Sequence, residues 1–291
     1  MTTIVMTGAT SGIGKVAAQR LIADGAELIA SARGSGLPSG AEARPLDLAS
    51  LADVRTFAES LPPSFDVLLL NAGMQVQSPD QRSRDGFELT FAVNHLAHYL
   101  LARLALPRIA PGGRIIFTSS GTHNPREKTG VPAPRHADAR RLADPASDPQ
   151  LGKNSIAAGM RAYSSSKLCN LMTARTMAAL PQVRERGITV HAYDPGFIPA
   201  TSLGRNAPLI VRRLVLPLLA RFPLLKGMNS LENGGKALAG LADGSIDGPQ
   251  VYMALRGGKP TWPGPSVLAS DNALCEALWR DSADLVGLNG S

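Results

Sequence analysis

The stretch that most restricts the fold lies at the N-terminus. Thr3-Ile4-Val5-Met6 is a short apolar run, and Thr7-Gly8-Ala9-Thr10-Ser11-Gly12-Ile13-Gly14 follows it directly. From Lys15 to Ala23 the pattern is helical. A strand that enters a helix through a glycine-rich turn lets backbone approach a pyrophosphate. The helix N-terminus then offers it amide donors and the positive end of a dipole. The spacing is Gly-x-x-x-Gly-x-Gly rather than Gly-x-Gly-x-x-Gly, so the glycines count for little without their strand–turn–helix setting. With that setting, Gly8, Thr10, Ser11, Gly12, Ile13 and Gly14 are read as a cofactor turn.

The rest of the chain repeats the alternation. Strands are expected at Ala26 to Ser31, ending near Arg44 to Leu48, and at Phe65 to Leu70, Gly113 to Ser120, Gly187 to Tyr193 and Gly248 to Ala254. Helices are expected at Ala49 to Leu61, Asp85 to Ile109, Arg161 to Leu180, Asn229 to Asp243 and Asp271 to Leu285. Such βαβα order predicts the α/β class: a single Rossmann-type, doubly wound parallel sheet with helices on both faces. No linker leads into a second core, so residues 1–291 are read as one domain.

Within Arg161-Ala162-Tyr163-Ser164-Ser165-Ser166-Lys167, the phenol and the ammonium stand four residues apart, on one face of a helix. A free tyrosine titrates near ~10. A cation about 4 Å away at an effective dielectric of ~20 is worth roughly 4 kcal/mol, enough to lower the phenol by up to ~3 units and make it a general acid/base. A half-buried Tyr beside a solvated Lys is the plainer reading of the pair taken alone.

Other candidates sit where open α/β sheets bind ligands, at strand C-termini. Asn71-Ala72-Gly73 ends one strand and Ser119-Ser120 another, and Pro195-Gly196 follows a third. Beyond Ala26 to Ser31 there is no acidic residue to hold a ribose 2′-OH, and Arg33 stands there to take a 2′-phosphate. That favours NADP(H) over NAD(H). Asp47, followed by Leu48, can accept from an adenine amine or cap the next helix. Asn94 lies amid core residues and needs hydrogen-bond partners; His95 and His98 share its helix. His123 is close to Ser120 but has no second ligand, so no metal site is read.

Two segments stand apart. Residues 121–159 form a polar, Pro-rich insertion whose Arg135, Asp138, Arg140, Arg141, Asp144 and Asp148 read as solvated surface. Residues 202–228 are strongly apolar with scattered Arg. They fit a substrate lid, a membrane-surface segment or a subunit contact. Pro208, Pro217 and Pro223 argue against one continuous amphipathic helix.

The net charge of +7 raises the question of nucleic acid. Lys and Arg are scattered and aromatics are 4% of residues, too few for a base-stacking surface, so a nucleic-acid partner is not expected. Cys169 and Cys275 are far apart and form no CxxC, which points to a reducing compartment without structural zinc. The chain enters a strand at once, leaving no room for a signal peptide, and no apolar run is long enough to span a bilayer. A cytoplasmic protein is expected.

Taken in order, the glycine turn, Asn71-Ala72-Gly73, Ser120, Tyr163 with Lys167, and Pro195-Gly196 resemble the short-chain dehydrogenase/reductase family over about residues 2 to 200. Asn94-His95-Leu96-Ala97-His98, Tyr163 to Asn170 and Pro195 to Thr201 are similar to its retinol-dehydrogenase and protochlorophyllide-reductase branches. The resemblance implies that Tyr163 is the acid/base and that Lys167 binds the nicotinamide ribose. It implies that Ser120, rather than Ser119, orients the reacting oxygen and that Asn94 holds a relay water. Pro195, Gly196, Ile198 and Thr201 would border the nicotinamide. Members often pair through two long helices, here Asp85 to Ile109 and Arg161 to Leu180, but a monomer fits the sequence equally. The implied activity is NADP(H)-dependent hydride transfer to or from a carbonyl or alcohol of a lipophilic small molecule. Reduction of an activated C=C bond is the alternative, followed by cofactor binding without chemistry.

Overall fold

The computed structural model describes residues 1–199 and 228–288. Thr201 and all but the last residue of the apolar segment at 202–228 lie outside the described residues. The elements run β1 (Thr3–Thr7), α1 (Gly12–Ala23), β2 (Glu27–Ala32), β3 (Ala41–Pro45), α2 (Leu51–Ser60), β4 (Phe65–Leu70) and α3 (Leu89–Phe91). A π-turn (Ala92–Leu96), α4 (Ala97–Ala105), a 3₁₀ turn (Leu106–Arg108) and β5 (Ile109–Thr118) follow. Then come α5 (Ala139–Ala143), α6 (Ser155–Ala179), α7 (Pro181–Glu185), β6 (Thr189–Asp194), α8 (Leu231–Asp243), β7 (Tyr252–Arg256), β8 (Lys259–Thr261), α9 (Val267–Ser270) and α10 (Asn272–Leu285).

The eight strands form one sheet in the order β3-β2-β1-β4-β5-β6-β7-β8. All pairs are parallel except β7 with β8. The expected doubly wound α/β sheet is therefore present. The chain winds outward from β1 to β3, then returns to place β4 on the other side of β1. That reversal is the switch point at which such sheets open a crevice.

Central strands bury both faces, as parallel sheets must. In β1, Ile4 and Met6 join the core under α1 and α8, while Val5 faces α2, α4 and α6. In β5, Ile116 points to the first side and Ile115 and Phe117 to the second. Gly235 lets α8 lie against α1, since a Cβ there would come 2.4 Å from the Val16 Cβ. Each fully buried Leu, Ile or Phe contributes about 1.5–3 kcal/mol.

Three expectations change. The helix placed at Asp85 to Ile109 begins only at Leu89, because Glu88 caps it through bonds from Thr90 N (3.0 Å) and Phe91 N (2.6 Å). It is then broken by the π-turn. The last strand falls at Tyr252–Arg256, and an antiparallel β8 follows it. The insertion at 121–159 is built rather than simply solvated: Asp148 accepts from Arg141 Nε at 3.0 Å and lies 3.1 Å from His136 Nε2, with a tenth of its side chain exposed. Asp138 caps α5 through Arg141 N, and α6 already starts at Ser155. These pairings are set by the fold and carry no periodic signal in the sequence.

Candidate active site

At the switch point one hydroxyl joins two strands. Thr7 Oγ1, at the end of β1, accepts from Asn71 N at 3.0 Å and Ala72 N at 3.1 Å. The Asn71 side chain donates to Gly8 O (3.1 Å) and accepts from Thr118 Oγ1 (3.1 Å), which adds the end of β5. Gly8 has φ +76° and Gly12 φ +59°, the left-handed region that glycine occupies without strain. At Gly14, a Cβ would sit 2.0 Å from Gly8 O and 2.4 Å from Asn71 Nδ2. A Cβ on Gly12 would meet nothing within 4 Å, so that side of the turn is open. Ser11, the N-cap of α1, makes no capping bond. An uncapped helix N-terminus above an open glycine turn at a strand end fits a pyrophosphate.

The π-turn sets Asn94. Ala97 N reaches back five residues to Ala92 O. Asn94 Oδ1 accepts from Met74 N (2.8 Å), and its Nδ2 donates to Met74 O (2.9 Å) and Ser166 Oγ (3.0 Å). The Asn94 carbonyl lies 3.0 Å from His98 Nδ1. A carbonyl only accepts, so Nδ1 carries the proton. His98 Nε2, 3.0 Å from Thr7 Oγ1, then accepts the threonine hydroxyl. Burial lowers His98 to about 4, which keeps it neutral. His95 lies 3.0 Å from Ser282 Oγ, and burial lowers it to about 3.

Tyr163 and Lys167 share the face of α6 that meets these loops, and both are buried. Lys167 Nζ donates to Thr118 O at 3.0 Å, as does Asn170 Nδ2 at 3.1 Å. Ser119 Oγ donates to Lys167 O at 2.8 Å. Ser120 is the serine that hydrogen-bonds the Tyr163 phenol. Gly73 completes the floor: a Cβ there would lie 3.3 Å from Lys167 Nζ and 3.5 Å from Asn94 Oδ1. Ser120, Tyr163, Lys167, Asn94 and Asn71-Ala72-Gly73 thus converge at the C-terminal end of the sheet.

The phenol differs from expectation. Burial raises it above its usual value, against the opposing Ser120 hydrogen bond, and the Asp194 charge adds to the rise. Lys167 stands 5.7 Å from the phenol ring centre and is itself lowered to about 8 by burial. The ammonium's attraction is outweighed by the desolvation of both groups.

Other candidates occupy the rim. Arg33 is exposed just beyond β2. Asp47 accepts from Ala49 N at 3.1 Å and pairs with Arg84 at 3.3 Å. The cap of α2 is Ser50, not Asp47, and Leu48 is half-buried beside it. Gly196 turns at φ +68° after Pro195, and Ile198 is buried. Sequence reasoning passed over Asp194, Tyr252 and Arg256. Their cluster joins β6 to β7, and the only local signal was an Asp directly before Pro195-Gly196.

The short chain dehydrogenase family model matches residues 2–131. Protochlorophyllide reductase A, chloroplastic, of Oryza sativa subsp. japonica is 33% identical over 319 residues, spanning 98% of this chain and 80% of that protein. Dehydrogenase/reductase SDR family member 13 of Bos taurus is 35% identical over 315 residues, spanning 98% and 73%. A solved structure of an uncharacterized protein from Mycobacterium Paratuberculosis superposes with a TM-score of 0.73 at 27% identity, covering 99% of this chain and 94% of that one. With the glycine turn and the Ser120–Tyr163–Lys167 cluster in one crevice, the chain belongs to the short-chain dehydrogenase/reductase family.

Proposed function

We propose that the protein is an NADP(H)-dependent oxidoreductase that interconverts a carbonyl and an alcohol on a lipophilic small molecule. The observation that carries this is the meeting of the Ser120 hydroxyl, the Tyr163 phenol and the Lys167 ammonium at the crevice beside Gly73. The cofactor, when bound, supplies or accepts the hydride. Gly8 to Gly14 and the open end of α1 would hold its pyrophosphate, and Arg33 its 2′-phosphate. In reduction, Ser120 orients the carbonyl oxygen, and Tyr163 gives its proton to that oxygen as negative charge builds there. In oxidation, the phenolate takes the proton back. Pro195, Gly196, Ile198 and Thr201 would border the nicotinamide. The lipophilic preference rests on the apolar composition of residues 202–228.

The test is a fluorescence titration with NADPH and NADH, followed by a panel of lipophilic ketones, aldehydes and alcohols. Tighter NADPH binding that is lost in Arg33→Ala, with turnover lost in Tyr163→Phe, is the expected result. Equal affinity for both cofactors would remove the role of Arg33. A protein that binds NADPH yet turns over nothing on the panel would end the carbonyl reading.

The kinship with protochlorophyllide reductase supports a second reading, reduction of an activated C=C bond, with Tyr163 protonating carbon. Conjugated enones with product identification by NMR separate the two. No helix among the described residues is long and apolar enough to cross a membrane.

A further inference from the structure

Beside the crevice, on the side away from the glycine turn, lies a charge cluster around a buried carboxylate that the reaction as outlined does not use. Asp194, the last residue of β6, is fully buried. Its Oδ1 accepts from Gly196 N at 2.9 Å. Its Oδ2 accepts from the Tyr252 hydroxyl at 3.0 Å and pairs with Arg256 Nη2 at 2.8 Å. The same Arg256 nitrogen meets Glu127 Oε1, from the insertion, at 3.0 Å. His123 packs edge-on against Tyr252, its ring centre 5.1 Å away. His123 Nδ1 lies 2.7 Å from Ser120 O, which can only accept, so the imidazole donates there.

The cluster touches the site at two points. Through Gly196 N it holds the Pro195-Gly196 turn, and through His123 it holds the backbone of Ser120. It also reaches the phenol electrically. Gly121 follows Ser120 and has no side chain; a Cβ there would lie 3.1 Å from Asp194 Oδ2 and 3.5 Å from Arg256 Nη2. The missing Cβ lets the carboxylate approach the serine that hydrogen-bonds Tyr163. A buried carboxylate this near opposes phenolate formation, and the guanidinium on its Oδ2 offsets that opposition.

We propose that buried Asp194 and half-buried Arg256 form a compensated pair that sets the field at the Tyr163 phenol while anchoring the Pro195-Gly196 turn. Arg256 is then a positioning residue that acts through Asp194. The proposal rests on Tyr163 as the acid/base. The groups facing the phenol are Lys167 on its own helix, Ser120 after β5 and Asp194 at the end of β6. Those facing Asp194 are Tyr252 and Arg256 from β7, with Glu127 and His123 from the insertion and Tyr193 on its own strand.

The experiment titrates the phenol directly in the NADPH complex. The alkaline rise of phenolate absorbance is recorded, and the same curve for the Tyr163→Phe background is subtracted. At such pH carboxyl groups are ionised. Arg256→Met should raise the midpoint by about one pH unit or more, and Asp194→Asn should lower it by about as much. The double variant should return close to the parent. A purely structural clamp gives a different pattern: all three variants lose thermal stability and none moves the midpoint. A midpoint in Asp194→Asn no lower than the parent's overturns the proposal, as does a double variant that fails to cancel the singles. Turnover on the carbonyl panel is measured alongside. Absent turnover with the order of midpoints intact sinks the reductase reading and leaves the pair; present turnover with unmoved midpoints sinks the pair alone.

Discussion

Lys167 donates its ammonium proton to the Thr118 carbonyl at 3.0 Å, and so it is the end of β5, not the neighbouring phenol, that anchors it. The bond fixes the ammonium beside Gly73, where a nicotinamide ribose would lie. Lys167→Met should therefore weaken NADPH binding and lower kcat together. Tyr163→Phe, which keeps the ring packing, should leave NADPH affinity within a few-fold and cut turnover by ~10²–10⁴. Lys167→Arg should not rescue, because a planar guanidinium does not fit a site built for a compact ammonium. The check is steady-state kinetics next to a fluorescence titration for each variant.

Asn94 uses both ends of its amide on one loop, taking Met74 N and giving to Met74 O. Asn94→Ala would strip the half-buried Met74 N and O of that partner and take one of the two bonds of Ser166 Oγ, whose other goes to Tyr163 O. At about 1–3 kcal/mol for an unsatisfied group, the melting temperature should fall by several degrees or more. NADPH affinity should fall with it, since the freed loop carries Asn71-Ala72-Gly73. A variant with unchanged melting temperature and cofactor affinity would show that the loop holds itself.

The sheet was legible in the sequence because strand and helix periods alternate, and the site was legible because its residues sit at strand ends. Thr7, Asn71 and Ser120 each follow an apolar run, so their place at the C-terminal edge followed from the run itself. What stayed hidden was long-range. The π-turn around Asn94 leaves no trace in an apolar helical pattern. The Asp194–Arg256 pair joins residues 62 positions apart that share no periodicity. The phenol's direction has no local signature, because the balance between desolvation and attraction depends on how deeply α6 is covered.

Gly14 and Gly12 should answer alanine in opposite ways. Gly14→Ala drives a Cβ into Gly8 O and Asn71 Nδ2, both fixed by neighbouring strands. It should yield little folded protein. Gly12→Ala meets open space but holds φ at +59°, at a cost of about 1–2 kcal/mol. It should fold with a modestly lowered melting temperature and weaker NADPH binding, because the methyl would face the proposed pyrophosphate path. Soluble yield, melting temperature and cofactor titration decide the pair.

The buried histidines should make the fold sensitive to acid. His95 and His98 have folded values near 3 and 4, below the ordinary 6.5. Between those values and 6.5 the unfolded chain binds more protons, so stability rises with pH there. The contribution is complete above pH 6.5 and is lost as pH falls toward 4 and 3. Glu88 works the other way: burial raises it to about 7, so its folded form holds a proton that the unfolded chain releases above 4.5. It favours the fold on the acid side of 7 and offsets part of the histidine loss. Melting temperature should drop from pH 6.5 to 4.5, less steeply in His98→Gln, and more steeply in Glu88→Gln. Parallel slopes in all three proteins would assign the acid limb to other groups.

The oligomeric state should follow from α10. Its Trp279 carbonyl takes the Tyr99 hydroxyl of α4 at 2.9 Å, and its ring lies 4.8 Å from the Arg103 guanidinium. Its Ser282 meets His95 at 3.0 Å. Arg175 of α6 reaches Asn272 at 3.0 Å, and Arg140 of α5 pairs with Asp284 at 2.7 Å. The outer faces of α4 and α6, through which two chains would pair, thus carry a helix of their own chain. A partner would have to displace it and give up the buried Leu278. The expected result is a monomer by sedimentation equilibrium, at a mass near 30.5 kDa, across the concentration range. Trp279→Ala together with Ser282→Ala loosens that cover and should lower the melting temperature. A dimer of the intact chain that survives dilution would mean that pairing uses another face.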